Sequence, residues 1–213
     1  VSDIRFGMKW ARADHGLIVA PYVIPMPEPQ TNFVEIPGRD GALDLSEALG
    51  SVGYADRVIE LTLYALAPFD TMISAFAAEV HGRRMNVIFD RDPTFYYDAR
   101  ITIEDVERHW GYCELSLECR AKPYKLEQFE TAITVLPAGT ATVTLTNTRM
   151  PVVPTITVSA EMTLAFTIDG KDYSVTLPAG THTVPSLVLM EGDTRIEITG
   201  TGRITFTYRK GAL

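Results

Sequence analysis

Cysteine is nearly absent: Cys113 and Cys119 are the two in 213 residues. Both fall in the alternating run Tyr112 to Ala121. On a strand they share a face and stand roughly 20 Å apart. A disulfide needs Cα atoms within about 7 Å, so no internal bridge is expected, and two buried free thiols suit a reducing compartment. The same spacing defeats shared metal ligation. The four histidines, His15, His81, His109 and His182, are scattered without a ligand pattern. No metal and no cofactor is therefore expected. No run of ~20 apolar residues exists, so no membrane-spanning helix is expected. The opening Val1-Ser2-Asp3-Ile4-Arg5 lacks the basic-then-apolar layout of a signal peptide.

Positive charge is also short: 19 Lys and Arg stand against 27 Asp and Glu, a net −8. Residues 131–213 hold six of each, so residues 1–130 carry all the excess acid, 13 against 21. That balance argues against holding a phosphate backbone, and no specific nucleic-acid binding is expected. Missing too are a G-x-S-x-G elbow, a phosphate loop and a dinucleotide fingerprint. Asp90 and Asp92 have the residue types of a glycosidase pair, but a solvated turn accounts for them. No catalytic residue is assigned, and the chain is not read as an enzyme.

What is present is β-rich. Ile4 to Lys9, Leu17 to Val23, Arg57 to Leu66, Met85 to Phe89, Tyr96 to Ile103 and His109 to Ala121 read as strands by alternation. Glu104 to Arg108 separates the last two. Pro25-Met26-Pro27-Glu28-Pro29 cannot sit in a central strand and reads as an extended arm. Met72, Ile73, Phe76, Ala77 and Val80 make one helical stripe. Asp70 or Pro68 can start that helix, Gly82 can cap its end, and Arg83 and Arg84 suit its dipole. Glu47 to Tyr54, with Gly50 and Gly53, reads as a loop.

After Lys122-Pro123-Tyr124 the texture changes. Leu126 to Val135 bridges to a Thr- and Val-rich remainder. Strands are expected at Ala141–Thr146, Thr155–Ser159, Thr163–Ile168, Tyr173–Leu177, Leu187–Leu189, Arg195–Thr199 and Ile204–Arg209, between Gly-containing turns. Short strands punctuated in this way describe a β-sandwich or jelly roll. Phe206 and Tyr208 share a core face, and Tyr173 is the one ring expected to reach a sugar.

The most informative stretch is Val34-Glu35-Ile36-Pro37-Gly38-Arg39-Asp40-Gly41-Ala42-Leu43-Asp44-Leu45. Pro37 stops strand pairing, Gly38 and Gly41 permit a sharp reversal, and Arg39 and Asp40 sit at its tip. From the residues alone, an ordinary charged surface turn reads equally well.

With this signature the chain resembles the distal tail proteins (Dit) of long, non-contractile-tailed phages and prophages of Gram-positive bacteria. Further matching pieces are Phe6 to Val19 with Asp14-His15-Gly16-Leu17, Tyr54 and Arg57 before a long strand, the helix ending His81-Gly82, and the closing Gly200 to Arg209. The resemblance implies a mostly β chain: residues 1–130 as a ring-forming, tail-tube-like α+β domain with one helix, and residues 131–213 as a galectin-like sandwich. It implies a structural virion protein, made in the host bacterial cytoplasm and placed at the tail tip. There it would form a homo-hexamer between the tail tube protein and the tail-associated hub protein, with the tape-measure protein as a further neighbour and a channel for DNA. Pro37, Gly38, Arg39, Asp40 and Gly41 become expected subunit or partner contacts. The alternative is host recognition, with the C-terminal sandwich binding a cell-surface glycan through Tyr173.

Overall fold

The computed structural model describes residues 2–48 and 52–213. Val1, and Gly50 of the expected loop, lie outside the described residues. The chain divides into two compact units, Val1–Lys125 and Leu126–Leu213, slightly earlier than the expected change at residue 130.

The first unit is built on β1 (Ile4–Phe6), β2 (Lys9–Trp10), β3 (Ile18–Val19), β4 (Phe33–Val34), β5 (Leu43–Asp44), β6 (Arg57–Leu66), α1 (Asp70–Val80), β7 (Arg84–Phe89), β8 (Phe95–Arg108) and β9 (Tyr112–Ala121). Seven of these strands form one antiparallel sheet in the order β2-β1-β7-β8-β9-β6-β3. Alternation sets which face is buried. Ile59, Leu61, Leu63 and Ala65 of β6 point inward with Cys113, Leu115, Leu117 and Cys119 of β9. Helix α1 covers that face with Ile73, Phe76 and Val80, and Phe76 meets Phe6 edge-on at 5.5 Å.

Three expectations change here. The gap assigned to Glu104–Arg108 is absent, because β8 runs unbroken to Arg108 with a register shift between Ile103 and Asp105. The extra residue, Glu104, returns Val106 to the core side, which is what a bulge does. Leu17 to Val23 pairs only at Ile18 and Val19. Helix α1 begins at Asp70 behind Phe69, with no side-chain cap bond, so Asp70 serves the first-turn dipole instead. At the other end the His81 amide donates to Ala77, and Gly82 takes φ +73° to turn the chain out. No basic residue lies in the last turn, and Arg84 already opens β7.

A short strand, β10 (Lys125–Glu127), leads into the second unit. There follow β11 (Thr131–Val135), β12 (Ala138–Asn147), β13 (Thr155–Val158), β14 (Met162–Ile168), β15 (Lys171–Leu177), β16 (Gly180–Thr183), β17 (Gly192–Thr201), β18 (Ile204–Tyr208) and β19 (Gly211–Ala212). Two four-stranded antiparallel sheets, β11-β18-β13-β16 and β12-β17-β14-β15, enclose one core. Phe206 and Tyr208 are buried in it, and the Tyr208 hydroxyl donates to the Thr146 carbonyl at 2.8 Å. Asp169-Gly170, both at positive φ, turn the β14–β15 hairpin. Leu187 to Leu189 is not a strand; both leucines are fully buried, and Leu189 makes a lone bridge to Val152. Thr131–Val135 and Gly180–Thr183, read from sequence as connections, pair as edge strands.

Two outcomes test this packing. Phe76→Ala removes the ring that joins helix to sheet and should cost about 3–5 kcal/mol in chemical denaturation. Burial raises both thiols, that of Cys119 to about 12, so neither should react with an aromatic disulfide reagent at pH 8 until the chain unfolds. The sign follows: a folded pKa above the unfolded value means stability from Cys119 is complete below about pH 8.5 and declines as pH climbs toward 12.

Candidate functional site

Among the described residues of the first unit, two features have no covering layer from that unit itself. The first is the hairpin made by β4 and β5. Phe33 pairs with Asp44 and Val34 with Leu43. Between them Ile36-Pro37-Gly38-Arg39 closes with a bond from the Arg39 amide to the Ile36 carbonyl at 3.1 Å. Gly38 and Gly41 take φ +84° and +77°, which is why glycine stands there. Beyond the adjoining residues, no described atom lies within 4 Å of a Cβ built on either, so the constraint is backbone shape and not crowding. Ser46 fastens the base: its hydroxyl accepts from the Asn32 amide and donates to Asp44, at 2.8 and 2.5 Å. The Ser46 hydroxyl and amide both donate to the Asp44 carboxylate and hold it below its ordinary value.

Residues 31–42 are exposed throughout. Phe33 is 59% exposed, with Val34, Ile36 and Leu45 also open to solvent. A two-stranded hairpin is at best marginally stable alone, and its exposed apolar residues make it a candidate contact surface. All five residues expected from the signature, Pro37, Gly38, Arg39, Asp40 and Gly41, sit at this tip.

The arm that carries the hairpin is anchored. Tyr22 packs on Phe89 with ring centroids 4.9 Å apart, beneath the Arg91 guanidinium, and its hydroxyl donates to Asp90 at 3.3 Å. Arg57 is 3% exposed. Its guanidinium donates to the carbonyls of Pro25 and Pro123 and lies over the Tyr97 ring. Further along, the Ala55 amide donates to Glu28 and the Gln30 amide to Gly53. The prolines thus run extended beside the sheet without joining it, because their nitrogens cannot extend a ladder.

The second feature is the sheet face opposite α1. Its outward residues form rows across β6, β9 and β8. Val58, Arg120, Arg100 and, on β7, Arg84 make one row. Glu60, Glu118 and Thr102 make the next. Beyond lie Thr62, Ser116 and Asp105, then Tyr64, Glu114 and Glu107. The far end is aromatic, with His109 stacked on Tyr112 at 4.6 Å and Trp110 at 101% exposure on the hairpin tip. The alternating polar residues were legible in the strands. Their assembly into charged rows was not, because register joins residues far apart in sequence.

The remaining candidates have structural partners. Asp90 accepts from the Asp3 amide and Tyr22, and Asp92 pairs with Lys125 at 2.7 Å. His15 lies 3.4 Å from Glu79, the His81 Nδ1 accepts from the Ile103 amide, and His182 bonds the Pro178 carbonyl. Among the described residues no cluster of His, Cys, Asp and Glu could hold a metal, and no helix is long and apolar enough to cross a membrane. In the second unit Tyr173 is half-buried and stacked on Phe166 at 5.4 Å. It borders a groove of about 370 Å³ with Thr167, Asp172, Arg195 and Glu197.

Arg57→Ala leaves two carbonyls without their donor and should cost about 3 kcal/mol. It should also speed proteolysis within residues 21–48 in native buffer. Arg57→Lys should restore little, since one ammonium on a flexible stem replaces a planar fork.

No protein-family model matches the chain, and no curated protein matches it in sequence. Its fold does have a counterpart among solved structures. The crystal structure of SPP1 Dit (gp 19.1), a paradigm of the hub adsorption apparatus in Gram-positive infecting phages, superposes with a TM-score of 0.71. Identity is 17%, and the match covers 98% of this chain and 99% of that one. The chain therefore shares the fold of that distal tail protein from end to end, as the resemblance of its motifs implied.

Proposed function

We propose that this chain is a structural virion protein, a distal tail protein that forms a homo-hexameric ring at a phage tail tip. The observation that carries the reading is the match of fold over both whole chains to SPP1 Dit. In this reading the ring joins the tail tube protein to the tail-associated hub and its adsorption apparatus, with the tape-measure protein adjacent. Residues 1–130 build the ring and residues 131–213 form a galectin-like domain. The bare sheet face supports a water-filled channel, because a face with alternating polar residues needs solvent and not a second core. The excess of acid in the first 130 residues suits a passage through which DNA slides without adhering. No catalytic step belongs to this role.

A second reading is host recognition by glycan binding. It is favoured by the groove bordered by Tyr173, where a ring edge, carboxylates and a guanidinium converge. Glycan arrays and cell-wall pull-downs with the full chain, compared with Tyr173→Ala, decide it: binding lost in the variant supports the reading, and no binding by the parent removes it.

For the ring, light scattering and negative-stain micrographs of the purified protein should give a six-fold particle with a central hole. A strictly monomeric protein at high concentration, with no ring in micrographs, would falsify the assignment. Arg39→Ala and Asp40→Ala should shift ring formation to higher protein concentration while the melting temperature stays within about 2 °C of the parent, since both residues are exposed.

A further inference from the structure

Cations stand outermost at one end of the bare sheet face. Arg84, Arg100 and Arg120 lie in register on β7, β8 and β9, and all three are exposed. Neighbouring strands are ~4.8 Å apart, and like charges directly opposite one another destabilise a sheet. Nearby acids relieve that repulsion from below. Arg84 forks onto Asp98, and the Arg120 Nε lies 3.5 Å from Glu118. The Arg84 side chain is 53% exposed against 27% for Asp98, and that of Arg120 is 62% exposed against 26% for Glu118. The carboxylates are the recessed partners, so a molecule approaching this end meets guanidinium groups first. Arg100, between the two, donates to the Gly82 carbonyl at 2.6 Å and has no carboxylate partner among the described residues.

The cations are concentrated in this band rather than mixed along the face. Beyond Glu60 and Glu118 the outward positions of β6, β8 and β9 hold Asp105, Glu107 and Glu114 and no Lys or Arg. A guanidinium matches a phosphate with two parallel donors. A line of three spans roughly 10 Å across the strands, which suits a polymer whose charge repeats at short intervals. Duplex DNA carries one negative charge per about 1.7 Å of its axis, whatever its sequence. An acidic protein segment would instead need its carboxylates placed for this row.

We infer that the arginine row is a contact for the phosphate backbone of duplex DNA. The inference rests on the ring assignment, in which this face lines the channel, and it refines that assignment: most of the passage repels the duplex, and one band of cations touches it. The contact is reversible, because Asp98 and Glu118 take the guanidinium groups back when the phosphates leave. Repeated in every copy, the band centres the duplex while the acidic rows keep it from settling.

A short labelled DNA duplex titrated with the full chain, and followed by fluorescence anisotropy at low ionic strength, tests it. The parent should bind weakly, and more weakly as salt rises. Arg100→Ala with Arg120→Ala should lower the affinity about tenfold or more and reduce the slope of log affinity against log salt by about 2, one for each phosphate contact removed. Arg100→Lys with Arg120→Lys should restore the slope, since counterion release counts charge. Arg203→Ala, at an exposed position of the second unit, should change neither quantity. No binding by the parent, an unchanged slope in the alanine variant, no recovery with lysine, or an equal loss in Arg203→Ala would overturn the inference. So would a poly-glutamate peptide that binds the parent more tightly than the duplex does, since the row would then be a site for an acidic protein segment. Micrographs of the same samples read the ring separately. A parent that binds DNA without forming rings loses the ring assignment and keeps the contact, and one that forms rings without binding DNA does the reverse.

Discussion

A sheet covered by a single helix has one face left over. Everything in the first unit follows from that constraint. The inward residues of β6, β8 and β9 meet α1 and form one core, and the outward residues of the same strands must then be solvated or shared with a neighbour. Period-two alternation gives no third choice. The bulge at Glu104 keeps the division intact over the full length of β8, since without it Val106 would point out and Asp105 in. The cost of a polar residue facing the core exceeds that of a locally broken ladder, so the backbone bends to keep the pattern.

The hairpin poses the opposite problem. It has almost nothing to pack against, yet it is held in a defined place by the arm beneath it. Arg57 is the joint. It reaches the carbonyls of Pro25 on the arm and Pro123 past the end of β9, two stretches whose backbone acceptors lie outside the sheet ladder. A guanidinium serves both because its donors diverge in one plane. An apolar side chain there would leave two acceptors unmet, and a lysine would reach one. Burying a cation is expensive, and here the Tyr97 ring and the two carbonyls offset that cost.

Much of this was legible in the chain before folding was considered. Strong alternation located β6 and β9, the stripe from Met72 to Val80 located α1, and glycine-marked turns located most strands of the second unit. The misses share a cause. Strand β8 read as broken because a bulge shifts alternation by one residue, and a single sequence does not distinguish a shift from an end. Leu187 to Leu189 read as a strand because burial and pairing leave the same apolar mark. At the candidate site, the turn residues Pro37 to Gly41 stood out through backbone chemistry local to them. The arginine row did not, because Arg84, Arg100 and Arg120 meet only through register.

Rigidity of the arm bears on what the proposed ring could be built from. Head-to-tail contacts close into a ring only when the angle between donor and receiver repeats from one copy to the next; otherwise they continue as a filament. A hairpin on a loose tether would sample many angles, and ordering it on contact would cost conformational entropy at every junction. Here Tyr22, Arg57 and the backbone bonds from Ala55 and Gln30 hold the arm within the single chain. That ordering is part of folding, so a contact made through the hairpin in the proposed ring would not incur it again. The buried arginine beneath the arm thus fixes where the exposed acids of the hairpin stand relative to the sheet.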